Sequence, residues 1–395
     1  MIDTAPSGSA LSVPSGVRAR FAGLETSTWL VSHSMGAPPV AAREALVRYH
    51  QQWADGGPEG AWPAWLDEAR AIADGLGAII GAAPGSVSLA PNVSVLQSAL
   101  ASALDWRAAS GSADRNEVVY EALQFPSLAY VWTAWERAGA KTVRVPTDDG
   151  RTIPTDRICS AITERTALVV LSHAYYQSGV LIDVAAIVAR AREVGALVVL
   201  DAYQTTGTYP FDVVELDLDV VVGGSHKWLC GGPGCGWIYV RPALRDRFEP
   251  LVTGWFAHRD PFAFEPPPIA YATDQLRWAT GTPTIPGYLA AKAGHDVIRE
   301  VGVNAIRAHN VRLTTRLTEA ALERGWRVST PHDAARRTGW VGIDVPQGER
   351  MLFELVERRI FVDYRPGCGL RVSAHCYTTE DEIERFLTVM DGLVG

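Results

Sequence analysis

The chain has 395 residues, a formal net charge of −8 and 47% hydrophobic residues, enough for a large buried core and about two domains. No basic stripe marks a nucleic-acid partner, and no apolar run approaches the roughly 18 residues that cross a bilayer. The five cysteines are odd in number and scattered. With no export signal, they read as reduced thiols of a cytoplasmic protein, and Cys230 and Cys235 lack the further ligands a zinc site needs.

In chain order, the Pro/Ser/Gly-rich start reads as a flexible tail over 1–20. "SLAPNVSVLQSALASAL" runs from a Pro-Asn turn into an amphipathic helix, with Asn92 or Ser94 as its cap. The Asn92-Val93-Ser94 match to a glycosylation acceptor is accidental in a cytoplasmic protein. From there, strand-like runs alternate with helical patterns: "NEVVYEAL", "LAYVWTAWERAG", "KTVRVP", "TALVVLSHA", "VAAIVARAREVG", "ALVVLDAY" and "DVVVGGSHK". Strands apolar throughout predict a parallel sheet covered on both faces, an α/β fold. In such sheets ligands sit beyond the carboxyl ends of the strands, where Ser172, Asp201 and Ser225-His226-Lys227 all fall. After residue 286, two helical segments, the short strands "TGWVGIDVP", "RIFVDYRP" and "GLRVSAH", and a closing helix "TEDEIERFLTVMDGLV" predict a smaller α+β domain. The expected division is a large cofactor-binding domain over 49–286 and a small domain from 21–48 and 287–395.

Lys227 sits between a valine run and a glycine patch, where a simple core has no use for an ammonium. At a pocket edge it can form a Schiff base with an aldehyde, and pyridoxal 5'-phosphate is the aldehyde that fits. That cofactor needs a carboxylate at its ring nitrogen, an anion site for its phosphate and a lid for its ring. Asp201 closes an apolar strand and would pair the pyridinium; alone it would read as a turn residue or helix cap. Gln204 could bond the ring hydroxyl. The amides near Val93 with the Ser94 hydroxyl, and Ser225 and His226 beside the lysine, could hold the phosphate. Phe125 could stack on the ring, though alone it would read as core. "GGPGCG" is not a dinucleotide loop: Pro233 intervenes and a β-like stretch, not a helix, follows.

Together these motifs resemble the class V aminotransferase family of pyridoxal-phosphate enzymes, fold type I. "DAYQ", "GGSHKWLCGGPGCGWIYV", "PNVSVLQ", "FPS", "GTP" and "RPGCGLRVSAHCYTTEDEI" carry the likeness. "VSHSMGAPP", "LSHAYYQSGVLID" and "TGWFAH" point to the branch with kynureninase, isopenicillin N epimerase-like proteins and cysteine C–S lyases. The resemblance implies that Lys227 binds the cofactor and Asp201 pairs its ring nitrogen. Phe125 and Gln204 would contact the ring. Val93, Ser94, His226 and Thr282 would hold the phosphate, Thr282 from a second copy in a homodimer with active sites at the subunit interface. Arg371 would bind the substrate α-carboxylate, with His33, Ser34, His173 and Trp255 as further substrate contacts. Leu128 stands where kynureninase-like proteins usually carry Asp, and His226 and Gln204 follow the desulfurase pattern. Cys368 is the one cysteine near the arginine and reads better as a small residue in a tight turn than as a sulfur-carrying nucleophile. The expected activity is that of a lyase cleaving a C–S bond in the side chain of a cysteine conjugate. Transamination, epimerisation, decarboxylating deamination and kynureninase-type C–C hydrolysis are the alternatives on the same scaffold, and a non-catalytic cofactor-binding protein is the alternative of another class.

Overall fold

The computed structural model describes residues 12–106 and 115–394. In chain order the elements are β1 (Thr28–Trp29), α1 (Val40–Ile79), β2 (Val87–Ala90), α2 (Val93–Ser102), β3 (Glu117–Glu121), α3 (Pro126–Ala134), β4 (Lys141–Val145), α4 (Thr155–Ala161), β5 (Thr166–Ser172), α5 (Val184–Val194), β6 (Leu197–Asp201), β7 (Val220–Gly224), β8 (Gly236–Val240) and α6 (Pro242–Arg245). After a loop come α7 (Ile285–Val301), α8 (Val303–Glu323), β9 (Arg327–Val328), β10 (Trp340–Asp344), α9 (Gly348–Glu357), β11 (Ile360–Phe361), β12 (Asp363–Arg365), β13 (Gly369–Ser373) and α10 (Glu380–Val394).

A seven-stranded sheet has the order β2-β8-β7-β6-β5-β3-β4. It is parallel from β7 to β4, and β8 alone runs against its neighbours. Alternation along each strand divides its residues between two cores. Val119, Val169, Leu171, Val198, Leu200 and Val221 pack with α1, α4, α5 and α7 on one face. Val118, Leu168, Val170, Val199, Val220 and Val222 pack with α2 and α3 on the other. Fully burying each such residue contributes about 1.5–3 kcal/mol, which is why these strands are apolar throughout. Helix ends follow local chemistry: Asp183 caps α5 through the Ala186 amide, and Gly195 closes it in the left-handed region at φ 68.

A four-stranded sheet, β12-β13-β10-β9, is antiparallel and packs with α8, α9 and α10 around Leu313, Leu317, Leu355, Phe386 and Met390. β1 pairs with β11, which ties the N-terminal segment to this unit. α1 runs across residues 48 and 49, where the sequence suggests a domain boundary, and breaks instead at Gly57, whose φ of 54 is non-helical. The expected tail also differs. Residues 1–11 lie outside the described residues, but Val17 is buried and Arg18 pairs with Glu382 at 2.8 Å, so residues 17 and 18 are packed, while residues 12 and 14–16 are exposed.

Candidate active site

The register of the sheet brings the site together. Ser172 at the end of β5 is paired with Asp201 at the end of β6, and Asp201 with Val222 on β7. The backbone leaving β7 then takes His226 and Lys227 to the same edge. A cavity of about 200 Å³ opens there, lined by Asn92, Val93, Ser94, Phe125, Asp201, Tyr203, Gln204, His226 and Lys227 among others.

Lys227 lines this cavity and is partly buried. Its ammonium lies 5.5 Å from the Phe125 ring and 4.9 Å from the Tyr203 ring. Burial pulls its pKa down to about 8, against the opposing pull of Asp201. Burial pushes Asp201 up to about 6, opposed by the Tyr203 amide, which donates to Oδ1 at 2.9 Å, and by Lys227. An acid and an amine thus line one cavity, each drawn toward its neutral form by desolvation. Behind them, Glu121 is buried at the end of β3, accepts from the Ser172 amide and is raised to about 7 by desolvation.

At the other side, Asn92 caps α2 by accepting from the Val95 amide at 3.1 Å, leaving the first amides of the helix toward the cavity. β8 passes directly beneath: a Cβ on Gly236 would lie 2.7 Å from Asn92 Cα and 2.9 Å from Val93 N. Only glycine lets this helix end sit so close to the sheet. Gln204 donates to the His33 carbonyl at 3.2 Å, while its Oε1 is buried with no partner. An orphaned acceptor, a partly buried amine, a buried carboxylate and a helix N-terminus are the groups pyridoxal phosphate requires at its ring hydroxyl, aldehyde, ring nitrogen and phosphate.

Arg371 is buried and, like His33, does not itself line the cavity; it reaches the lining residue Tyr176. Its Nε and Nη2 grip Asp363 as a fork, the Nε bond being 2.7 Å, and Nη1 donates to the Tyr176 carbonyl at 2.6 Å. Its guanidinium lies 5.3 Å from the Trp340 ring. His33 Nε2 lies 3.0 Å from the same Asp363. Burial draws His33 down to about 4, so the imidazole is neutral; burial also pushes Asp363 up, but the hydrogen bonds it accepts from His33 and Arg371, with the guanidinium's charge, hold its carboxyl far below the usual range.

Several expected contacts lie elsewhere. Ser225 turns from the cavity, with its hydroxyl 2.9 Å from His295 Nε2 on α7. His173 also faces away, because it alternates with Ser172 and Ala174; it bonds Thr205 at 3.0 Å and packs edge-on against Tyr209 and Phe211. Ser34 sits in a turn closed by its amide on the Val31 carbonyl and does not line the cavity. Trp255 packs with Phe256, Phe262 and Phe264, outside the cavity. Thr282 is exposed and likewise outside it. Sequence reasoning missed Tyr203, Tyr176 and Asp363. Tyr203 could have been found: it follows Asp201 by two residues and so returns to the same edge.

The fold is that of the type I pyridoxal-phosphate enzymes. An Apo cysteine desulfurase from Thermococcus onnurineus NA1 superimposes with a TM-score of 0.85 at 23% identity, covering 97% of this protein and 98% of that one. The cystine C–S lyase C-DES, solved with its product cysteine persulfide, gives 0.84 at 21% identity, covering 94% and 98%. The model of the family "Aminotransferase class-V" matches residues 98–386. The chain belongs to this family of enzymes, whose cofactor is pyridoxal 5'-phosphate. Among its relatives, a kynureninase of Pseudomonas fluorescens is 29% identical over 381 residues, 93% of the sequence here and 89% of that protein. The uncharacterized aminotransferase YcbU of Bacillus subtilis is 28% identical over 371 residues, 94% of the sequence here and 95% of that protein. Among the described residues no helix is long and apolar enough to cross a membrane.

Proposed function

We propose that the protein is a lyase that cleaves the C–S bond in the side chain of an L-cysteine conjugate, with water, to a thiol, pyruvate and ammonium. The observation that carries this reading is the Lys227 amine sharing its cavity with Asp201, with no cysteine among the described residues that line it. Cys368, the nearest cysteine to Arg371 in sequence, is buried, sits 3.5 Å from the Ser329 hydroxyl and has its pKa raised by desolvation. A persulfide-forming cysteine needs thiolate character and access, and this one has neither.

When bound, pyridoxal phosphate supplies an aldehyde for the substrate amine and an electron-accepting ring. Asp201 would keep the ring nitrogen protonated. Gln204 Oε1 would accept from the ring hydroxyl, and Phe125 would contact the ring. The amides and hydroxyl of Val93 and Ser94, with His226, would hold the phosphate, joined by Thr282 of a second copy. Arg371 has three of its five N–H groups engaged, and the remaining two are available to the α-carboxylate. Lys227, with a pKa drawn toward neutrality, takes the Cα proton and can return one.

A homodimer accounts for the position of Thr282 and for the exposed apolar residues Leu251, Phe262 and Phe264. We place the enzyme in the cytoplasm on its unpaired cysteines. C–C hydrolysis of the kynureninase type is the second reading, favoured by the Pseudomonas relative; Leu128, in place of the usual Asp, weighs against it. Incubating the reconstituted protein with cysteine S-conjugates and with L-kynurenine, with mass detection of products, decides between them. Pyruvate and thiol support the lyase. Anthranilate, a racemised substrate, carbon dioxide or a requirement for a 2-oxo acid would replace it.

A further inference from the structure

We infer that the Tyr203 hydroxyl binds the phosphate of the cofactor, the role the sequence suggests for Ser225. This rests on the phosphate site assigned above to Val93 and Ser94, and not on the lyase reading. The Tyr203 amide donates to Asp201 Oδ1 at 2.9 Å, which fixes the backbone at the base of the side chain. The ring lies 4.9 Å from the Lys227 ammonium and 5.4 Å from the His226 ring. Its far end crosses Gly224, the last residue of β7. A Cβ on Gly224 would overlap Tyr203 Oη, Cζ and Cε1, and its three nearest neighbours are all atoms of this phenol. The Tyr203 hydroxyl thus occupies the space a side chain at residue 224 would take.

The register of the sheet carries that hydroxyl to the start of α2. Gly224 is directly opposed to Gly236 on antiparallel β8. Directly opposed residues project to one face, with Cβ positions about 4.5–5.5 Å apart. The Cβ position of Gly236 lies 2.7 Å from Asn92 Cα and 2.9 Å from Val93 N. Tyr203 Oη and the first amides of α2 are therefore neighbours on the same face. Tyr203, Asn92, Val93 and Ser94 all line the one cavity.

The hydroxyl is free to serve. It has no hydrogen-bond partner among the described residues. Burial, and then the Asp201 carboxylate, push its pKa up, so the phenol keeps its proton and can donate it. The other donors are few. Among the described residues no arginine lines the cavity, and Lys227 is assigned to the aldehyde. Burial draws His226 down to about 4, so it is neutral, and Ser225 is turned to His295. A phosphate here is met by amides and neutral hydroxyls, and each bond to an ionised acceptor is stronger than one between neutral groups.

The test is an absorbance titration of cofactor-free protein with pyridoxal 5'-phosphate and with pyridoxal, which lacks the phosphate. Tyr203→Phe keeps the ring and removes the hydroxyl. It should weaken pyridoxal phosphate by at least about tenfold, leave pyridoxal within about threefold, and move the phosphorus NMR resonance of the bound cofactor. Tyr203→Ala should lose the same preference. Adding Gly224→Ser, which puts a hydroxyl into the space the phenol held, should restore part of it, whereas adding Gly224→Ala should not. A Tyr203→Phe protein that binds pyridoxal phosphate as tightly as the unaltered one overturns the inference. So does one that loses pyridoxal and its phosphate alike, the mark of a ring contact only, and so does a serine at residue 224 that does no better than alanine. Each of these leaves the phosphate site at α2 standing. Unaltered protein that binds pyridoxal as tightly as its phosphate removes that site and this inference together.

Discussion

Arg371 and Asp363 face each other across β13 and β12 and are joined by two parallel hydrogen bonds in a nearly solvent-free site. The pair fixes the guanidinium's plane against Trp340, so Asp363 is a positioning residue for the group that the proposed function assigns to the α-carboxylate. Removing one partner of a buried pair leaves the other uncompensated. Asp363→Ala should lower the unfolding free energy by about 3 kcal/mol and weaken amino-acid binding at pH 7. Because the folded pKa of Asp363 is depressed, this stability is fully present above the ordinary carboxylate range and is lost as pH falls below it. Denaturant titrations at pH 7 and at the lowest pH that preserves the fold check both points. An unchanged midpoint at pH 7 would remove the pair from the account.

Lys227 must be neutral to attack an aldehyde, and its pKa is drawn down to about 8. The rate at which the cofactor-free protein takes up pyridoxal phosphate should therefore rise about tenfold per pH unit below that value and level off above it. Stopped-flow absorbance from about pH 6 to about pH 9.5, which brackets this titration, follows it. A rate that keeps climbing toward the pKa of a free lysine would show that burial does not activate this amine.

Asp201 raises the pKa of Lys227 and is assigned to the ring nitrogen. Asp201→Ala should therefore act in two directions at once. The midpoint of the uptake profile should move to lower pH, while equilibrium binding of the cofactor weakens by about tenfold or more. A variant that binds the cofactor as tightly as the unaltered protein would strip Asp201 of that role.

Gly36 passes under the lysine segment, its amide donating to the His226 carbonyl at 2.9 Å. A Cβ there would meet the Lys227 carbonyl and lie 2.7 Å from Cys230 Sγ and 2.9 Å from Cys230 Cα. Overpacking of this kind costs about 1–3 kcal/mol. Gly36→Ala should lower stability by that amount and slow cofactor uptake, since the displaced backbone is that of Lys227 itself. Wild-type uptake kinetics in this variant would contradict the contact.

Cys368 separates the lyase from a persulfide carrier. Cys368→Ala should leave C–S cleavage within about threefold of the unaltered protein, since a buried, raised-pKa thiol is not a nucleophile. Loss of cleavage with the fold intact would reinstate it.

Much of this was legible because the sheet is buried on both sides. The runs that became β3, β5, β6 and β7 carry valine and leucine at both parities, so they could be read as parallel strands, and their ends gathered Asp201, His226 and Lys227. Parity within those ends was the part left unread. Ser172 and Ala174 face the cavity and His173 between them does not; Ser225 turns to His295 while His226 turns in. The Asp363–Arg371 pairing was hidden because it depends on the register of two strands joined by a glycine-bearing turn. α9 escaped because it opens on Gly348 behind Gln347, whose left-handed φ of 58 and lack of a capping bond give no start signal.

The central claim is a covalent link between pyridoxal phosphate and one amine. Loading the protein, reducing it with borohydride and mapping the labelled peptide tests this directly. The account predicts a single pyridoxyl group on Lys227, in the peptide that contains Ser225 and His226, and none on a Lys227→Ala variant that still folds. A label on another lysine, or no label after loading, would contradict it.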